Sequence, residues 1–240
     1  MARALIEALL ALEHRNGEMN SLVRSLDSRE SSDIQTLGRV REPPLKIIGV
    51  GGAGLNILSR VPKTELEDAE VLAADTDSVH LVMSGVPRKI LMVAGPGMLS
   101  GSDSSPADGR KAALETEEEL REALHGARYV IVLCGLGGGT GTGAAPVVAR
   151  IARDAGLMTA AVCVWPFAGE GRTIEMNAEL GVRRLMEAAD IVVLVPNDML
   201  MDPDPELSLN MAFEAVDKII LRAVKSIFEG FSSLDTSASP

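Results

Sequence analysis

The sequence predicts an α/β fold in three layers: a mostly parallel six-stranded sheet with helices on both faces. Three observations lead there. From Leu45 onward, short apolar runs alternate with helical patterns without a break, and such alternation builds parallel strands joined by right-handed crossovers. The chain is 46% hydrophobic but only 2% aromatic, so its core must be Leu, Val, Ile, Ala and Met, which suits helices packed on a doubly covered sheet. Glycine-rich stretches follow the carboxyl ends of apolar runs, the rim at which such sheets bind their ligands.

Residues 1–43 read as an N-terminal helical extension and linker. Leu5, Leu9, Leu12, Asn16, Met19, Val23 and Leu26 follow the 4-3-4-3 spacing of a heptad seam, interrupted by Gly17 at a cost of about 1 kcal/mol. The seam suits a self-association or partner helix, and equally an amphipathic helix lying on the domain or a mobile arm. Residues 27–43 are polar and lead into Pro43-Pro44, a linker pattern.

The binding domain is expected over 44–230. Its six strands are placed at 46–50, 70–74, 88–93, 129–134, 158–164 and 191–195. Helices are expected after the stretch 49–56 to about Val61, then a short one after Asp77, then 110–126, 144–155, 173–188 and a long one over 205–228. The acidic run at Glu115 and Glu117 to Glu119 reads as a solvated helix face. The Ser-rich residues 231–240 read as a frayed tail. On the long helix Ile219, Ile220, Val224, Ile227 and Phe228 make an apolar stripe. Either it is exposed and seeks a partner, or the N-terminal helix covers it.

Charge and composition narrow the function. A net charge of −11 disfavours nucleic acid and anionic membranes as partners. There is no signal peptide and no apolar run of about 18 residues, so a cytoplasmic protein without membrane insertion is expected. Cys134 and Cys163 sit in apolar runs and suit two buried thiols better than a disulfide or metal site. His14, His80 and His125 show no ligand spacing, and no metal ligands are assigned.

The chemistry concentrates in two loops. Gly135-Leu136-Gly137-Gly138-Gly139-Thr140-Gly141-Thr142-Gly143 lies between a strand and a helix. Such a stretch is expected to be a loop whose N–H groups cradle an anion, with the following helix adding its positive end. Earlier, Gly49-x-Gly51-x-x-Gly54 also joins a strand to a helix, and Asp75 follows about 20 residues on. Alone, that meets the dinucleotide fingerprint, with Asp75 set for a ribose hydroxyl. A second cradle on the same rim suits a nucleoside triphosphate better. No G-x-x-x-x-G-K-[ST] occurs, so backbone N–H groups, helix ends and a bound Mg²⁺ would have to neutralise the phosphates.

Gly49-Val50-Gly51-Gly52-Ala53-Gly54-Leu55-Asn56, the loop 135–143, Pro166-Phe167, Glu170-Gly171 and Pro196-Asn197-Asp198 together resemble FtsZ, the tubulin-like cell-division GTPase family, over about residues 45–230. The resemblance implies a Rossmann-like GTPase domain with GTP, and Mg²⁺ on its phosphates, across the rim. It implies that Gly51, Gly52, Ala53 and Asn56 lie by the phosphates and base. Gly101 would come from the γ-phosphate loop, while Gly137, Gly138, Gly139, Thr140, Gly141, Thr142 and Gly143 wrap the phosphates. Glu170 would meet the ribose, Asn197 and Asp217 the guanine edge, and Phe213 would stack, although on its own Phe213 reads as a core residue. A carboxylate at Asp217 is chemically apt, since guanine N1–H and N2–H₂ are both donors.

The resemblance has departures. The family usually has Asn-Thr-Asp where this chain has Asp75-Thr76-Asp77. Its γ-phosphate loop, Gly-Ala-Gly-Ala-Asn, falls on 101–105 with Asp103 replacing a glycine. Its arginine four residues after the glutamate falls on Ile174. Its Asn-x-Asp-x-x-Asp loop, which completes the next subunit's site, and its second domain are not found up to Pro240, and no catalytic residue is assigned.

Three functions follow. The first is a GTP-binding protein that associates with FtsZ-type subunits, itself or a full-length homologue, and hydrolyses poorly alone. The second is a truncated polymerising GTPase of ordinary type. The third is an NAD-dependent oxidoreductase.

Overall fold

The computed structural model describes residues 45–61, 66, 69–93, 95, 105–200 and 209–236, and of 199–200, 209–215 and 232–236 the backbone alone. The N-terminal seam, the linker and Gly101 and Asp103 lie outside the described residues.

Six strands form one parallel sheet in the order β3-β2-β1-β4-β5-β6. They are β1 (Leu45–Val50), β2 (Ala69–Asp75), β3 (Arg88–Leu91), β4 (Tyr129–Gly135), β5 (Met158–Trp165) and β6 (Ile191–Pro196). Strand order turns back between β1 and β4, the place where a crevice opens at the carboxyl rim. Both strands there are followed by a glycine-rich helix start: α1 (Gly51–Arg60) after β1 and α5 (Gly139–Asp154) after β4.

Alternate side chains of the strands feed two cores, as a period of two requires. Ile48, Val50, Val130, Val132 and Cys134 pack with α3 (Pro106–Glu115), α4 (Glu117–Leu124), α5 and α6 (Arg172–Ala188). Ile47, Tyr129, Ile131 and Leu133 pack with α1, α2 (Ser78–Met83) and α7 (Leu209–Thr236). Cys134 and Cys163 are buried free thiols on neighbouring strands, in register. The Cys163 thiol is pushed up, first by its hydrogen bond with Cys134 and then by burial.

Four expectations need correction. The acidic segment forms two helices, α3 and α4, because the Thr116 hydroxyl donates back to the Ala112 carbonyl (2.9 Å) at the break. Second, α3 begins at Pro106, earlier than expected, where Ser105 and Asp108 form a capping box. Third, the long helix continues past Gly230 to Thr236, six residues into the stretch read as a tail. Tyr129 anchors it, stacking on Phe231 at 5.3 Å and donating its hydroxyl to the Phe231 carbonyl (3.2 Å). Fourth, the apolar stripe of α7 is not an open patch. Ile220, Val224 and Ile227 are buried against the sheet, Phe228 is half-buried, and of the five only Ile219 is exposed.

Candidate functional site: a cleft between two uncapped helix starts

Val50, Gly51, Gly52, Ala53, Asp75, His80, Gly135, Leu136, Gly138, Gly139, Thr140 and Gly141 line a cleft of about 270 Å³ at the carboxyl rim. The two glycine stretches, 84 residues apart from Gly51 to Gly135 by number, therefore face one space.

The structure corrects the picture of one long loop at 135–143. Only 136–138 lie between β4 and α5, and Gly139 to Gly143 form the first turn of the helix, buried. Three glycines in a helix start cost roughly 1 kcal/mol each in propensity, and tertiary contacts override that cost. A Cβ on Gly141 would collide with the Gly135 carbonyl oxygen, and one on Gly143 with the Pro106 carbonyl oxygen. The helix is glycine-rich because backbone packs on backbone at both points.

Gly137 sits at φ +104, and a side chain there would strike Ile174. Its N–H donates to Thr142 Oγ1 (2.8 Å), and its carbonyl accepts from Asn177 Nδ2 (3.1 Å). Gly137, Thr142 and Gly143 therefore shape the cradle from behind, while Gly138, Gly139, Thr140 and Gly141 line it. Ile174, where the family's arginine is expected, is the apolar lid on Gly137.

The electrostatics of the cleft come from backbone. Val50 caps α1 and Gly138 caps α5, and neither has a side-chain acceptor for the first-turn N–H groups. By contrast, Asp77 caps α2 by accepting from Val79 N (2.8 Å), and Ser105 caps α3. Gly51 at φ +72 lets the two helix starts approach, for a Cβ there would lie 2.9 Å from Gly141 N. Two sets of orphan donors, each at the positive end of a helix dipole, thus converge on one space. Among the described residues, no lysine or arginine lines the cleft.

Among the described residues, one anionic group faces these donors. The Asp75 carboxylate is buried; its Oδ1 accepts from Thr76 N (2.7 Å), while Oδ2 has no hydrogen-bond partner among the described residues. His80 Nδ1 stands 3.5 Å from Oδ2. Burial pushes the Asp75 carboxyl up, against the Thr76 and Asp77 N–H groups and His80, which pull it down. Thr76 ties this wall to the cradle by a 2.7 Å hydroxyl contact with Thr140. Sequence reasoning missed His80 and Thr76. His80 stood alone in sequence, and its place near Asp75 depends on the Asp77 cap starting α2 there.

The guanine-side residues do not line the cleft. Asn56 and Glu170 are exposed, and Glu170 Oε1 accepts from Phe167 N (2.7 Å), closing its own turn. Asn197 is half-buried at the end of β6. The neighbouring Asp198 accepts from Ala168 N (3.1 Å), joining the turns after β5 and β6. Asp217 is buried and held bidentately by Arg60, at 2.5 and 3.0 Å. The Phe213 side chain and Gly101 lie outside what is described. Among the described residues no group of three or more His, Cys, Asp or Glu could hold a metal ion, and no helix is long and apolar enough to cross a membrane.

The sequence model of the Tubulin/FtsZ family, GTPase domain, matches residues 44–203. The chain belongs to the tubulin/FtsZ family. It is similar to cell division protein FtsZ 1 of Archaeoglobus fulgidus, 40% identical over 227 residues, which are 95% of this chain and 61% of that protein. It is likewise 40% identical to cell division protein FtsZ of Methanothermobacter thermautotrophicus over 234 residues, again 95% and 61%. Among solved structures it resembles an empty FtsZ dimer from M. jannaschii, with a TM-score of 0.70 and 35% identity over 88% of this chain and 58% of that one. The chain thus spans about three fifths of the length of these relatives. The six-stranded parallel sheet is that of the FtsZ GTPase fold. Membership of a GTPase family does not favour the oxidoreductase that the first glycine loop alone would suggest.

Proposed function

We propose that the cleft binds GTP, that the chain associates with FtsZ-type subunits in the cytoplasm, and that residues 1–240 alone hydrolyse GTP poorly. The observation that carries the reading is the meeting of two helix starts without side-chain caps, α1 and α5, in one glycine-lined cleft. Backbone donors at that density suit a chain of phosphates held from two sides. With no lysine or arginine among the described lining residues, a cation brought with the ligand would offset the phosphate charge.

The residues fit Mg²⁺ in that role. The unpartnered buried Oδ2 of Asp75 is a hard oxygen donor in the cleft wall, and Mg²⁺ is commonly bound by one or two carboxylates together with phosphate oxygens. Bound there, the metal would offset the phosphate charge and separate it from Asp75. The chain's own residues supply the rest. First-turn N–H groups bind phosphate oxygens, Thr76 and Thr140 hold the two walls together, and Ile174 keeps water from the back of Gly137.

Guanine recognition falls to Asn197 and Asp217, with Phe213 stacking and Glu170 on the ribose. Asp217 can accept from guanine only by releasing part of its Arg60 pair. The reading that residues 1–240 alone hydrolyse poorly rests on their holding no Asn-x-Asp-x-x-Asp segment. Calorimetric titration of GTP with Mg²⁺ tests the binding claim; absence of heat at millimolar nucleotide rejects it. GTP turnover at the rate of a full-length FtsZ by the chain alone would reject the hydrolysis claim.

A further inference from the structure

A second cavity, of about 310 Å³, opens between α3, α5 and α6, and nothing in the proposed GTP reading uses it. It is lined by Arg110 and Leu114 of α3, Pro146, Val147 and Arg150 of α5, and Arg184 of α6, with Gly143 and Glu187 completing the wall. None of the three guanidiniums has an ion-pair or hydrogen-bond partner among the described residues. In a chain of net charge −11 they form a local cluster of cations open to an incoming carboxylate. Other arginines of the same surface find partners: Arg121 pairs with Glu117 at 2.7 Å, and Arg153 donates to the Glu187 carbonyl at 2.8 Å.

We propose that this cavity is a docking site for a short acidic segment of a partner protein, whose Asp or Glu side chains pair with Arg110, Arg150 and Arg184 and whose apolar side chain fills the space over Leu114, Pro146 and Val147. Three arginines less Glu187 leave a local charge of +2 on an otherwise acidic molecule. Planar guanidinium forks match carboxylates bidentately. The lining backbone lies within helices, so it offers no free N–H donors of the kind that hold inorganic phosphate in the glycine cleft. The apolar floor wants a side chain, and Leu114 is exposed on it. A long polyanion such as nucleic acid would be repelled by the rest of the surface. Arginine is also enriched at the centres of protein interfaces.

The test uses the full chain and a fluorescein-labelled twelve-residue peptide repeating Glu-Glu-Leu, with a Gln-Gln-Leu peptide as control. Fluorescence anisotropy at low salt should show binding of the Glu peptide and none of the Gln peptide. Arg150→Gln with Arg184→Gln should weaken it about tenfold or more, and so should raising salt to about 0.5 M. The milder single variant Arg150→Gln, at an exposed position, should weaken it less without changing the melting temperature. Equal binding of both peptides, or binding insensitive to these variants, overturns the proposal. Two further outcomes also overturn it. One is arginine-dependent stabilisation by pyrophosphate with no peptide binding, which makes the site one for small anions. The other is arginine-dependent self-association in sedimentation, which makes the occupant a second copy. GTP titration of the same variants should be unchanged, so failure here leaves the proposed nucleotide binding untouched, and the reverse.

Discussion

Asp75 is where stability and binding pull apart. Its Oδ2 is buried with no hydrogen-bond partner among the described residues, His80 Nδ1 standing 3.5 Å away, a situation that costs about 1–3 kcal/mol. Because the folded carboxyl is raised, the folded state takes up a proton more readily than the unfolded chain in the window between the two values. Its contribution is therefore fully present below the ordinary carboxylate range and lost as pH rises through the raised folded value. Asp75→Asn removes the charge and keeps an oxygen for Thr76 N. At pH 7 without nucleotide it should raise the melting temperature by roughly 2–4 °C, for a gain of about 1 kcal/mol. It should flatten the dependence of melting on mildly acidic pH. It should also weaken Mg²⁺-dependent GTP binding in calorimetry; unchanged binding would remove Asp75 from the metal role. Gly51→Ala tests the cradle itself. The residue sits at φ +72 beside Gly141 N, so alanine should cost about 1–2 kcal/mol of stability and weaken GTP binding at least tenfold.

At the scale of elements, the fold depends on how helices meet the sheet and each other. The long helix α7 is pinned at both ends. Near its start, Asp217, with its side chain 9% exposed, is paired with Arg60 of α1, 40% exposed. Arg60→Met would leave a buried carboxylate without its guanidinium. Partial solvent access of the pair limits the loss to roughly 1–3 kcal/mol in denaturant unfolding. Near its end, Tyr129→Phe removes the hydroxyl bond to the Phe231 carbonyl and should cost about 1 kcal/mol or more. On the other edge, buried Lys46 donates to the carbonyls of Ala123 and His125, both at 2.8 Å, and pairs with Glu70, tying β1 to the end of α4. Burial pushes the Glu70 carboxyl up, but hydrogen bonds from Lys46 and Arg88 outweigh it and hold the group below its usual range. That contribution is present above the unfolded carboxylate range and lost as pH falls through the lowered value.

For the whole molecule, ligand binding and folding are one equilibrium. If the cleft takes GTP, nucleotide with Mg²⁺ at about 100 times its dissociation constant should stabilise the chain by about 2.7 kcal/mol. Thermal unfolding should then shift up with GTP more than with ATP; equal shifts would count against Asn197 and Asp217 as guanine readers. The six strands, the parallel sheet and the meeting of the two glycine-rich stretches on one rim were legible in the sequence. A parallel sheet writes itself as apolar runs between helical patterns, and glycines mark close backbone approach. The division of labour within the glycine stretch was not legible. Thr142 and Gly143 look like their neighbours in sequence, yet one closes the Gly137 turn and the other lies under Pro106.

By itself the sequence determined the architecture, the rim at which the glycine-rich stretches lie, and the family, because periodicity and glycine-rich spacing are local properties of a chain. Tertiary structure alone decided which donors face the cleft, that α7 is buried along the sheet, that Asp217 is held by Arg60, and that three arginines from separate helices share one cavity. Those facts depend on distances between residues far apart in the chain. Arg110 and Arg184, for instance, meet only because α3, α5 and α6 pack side by side.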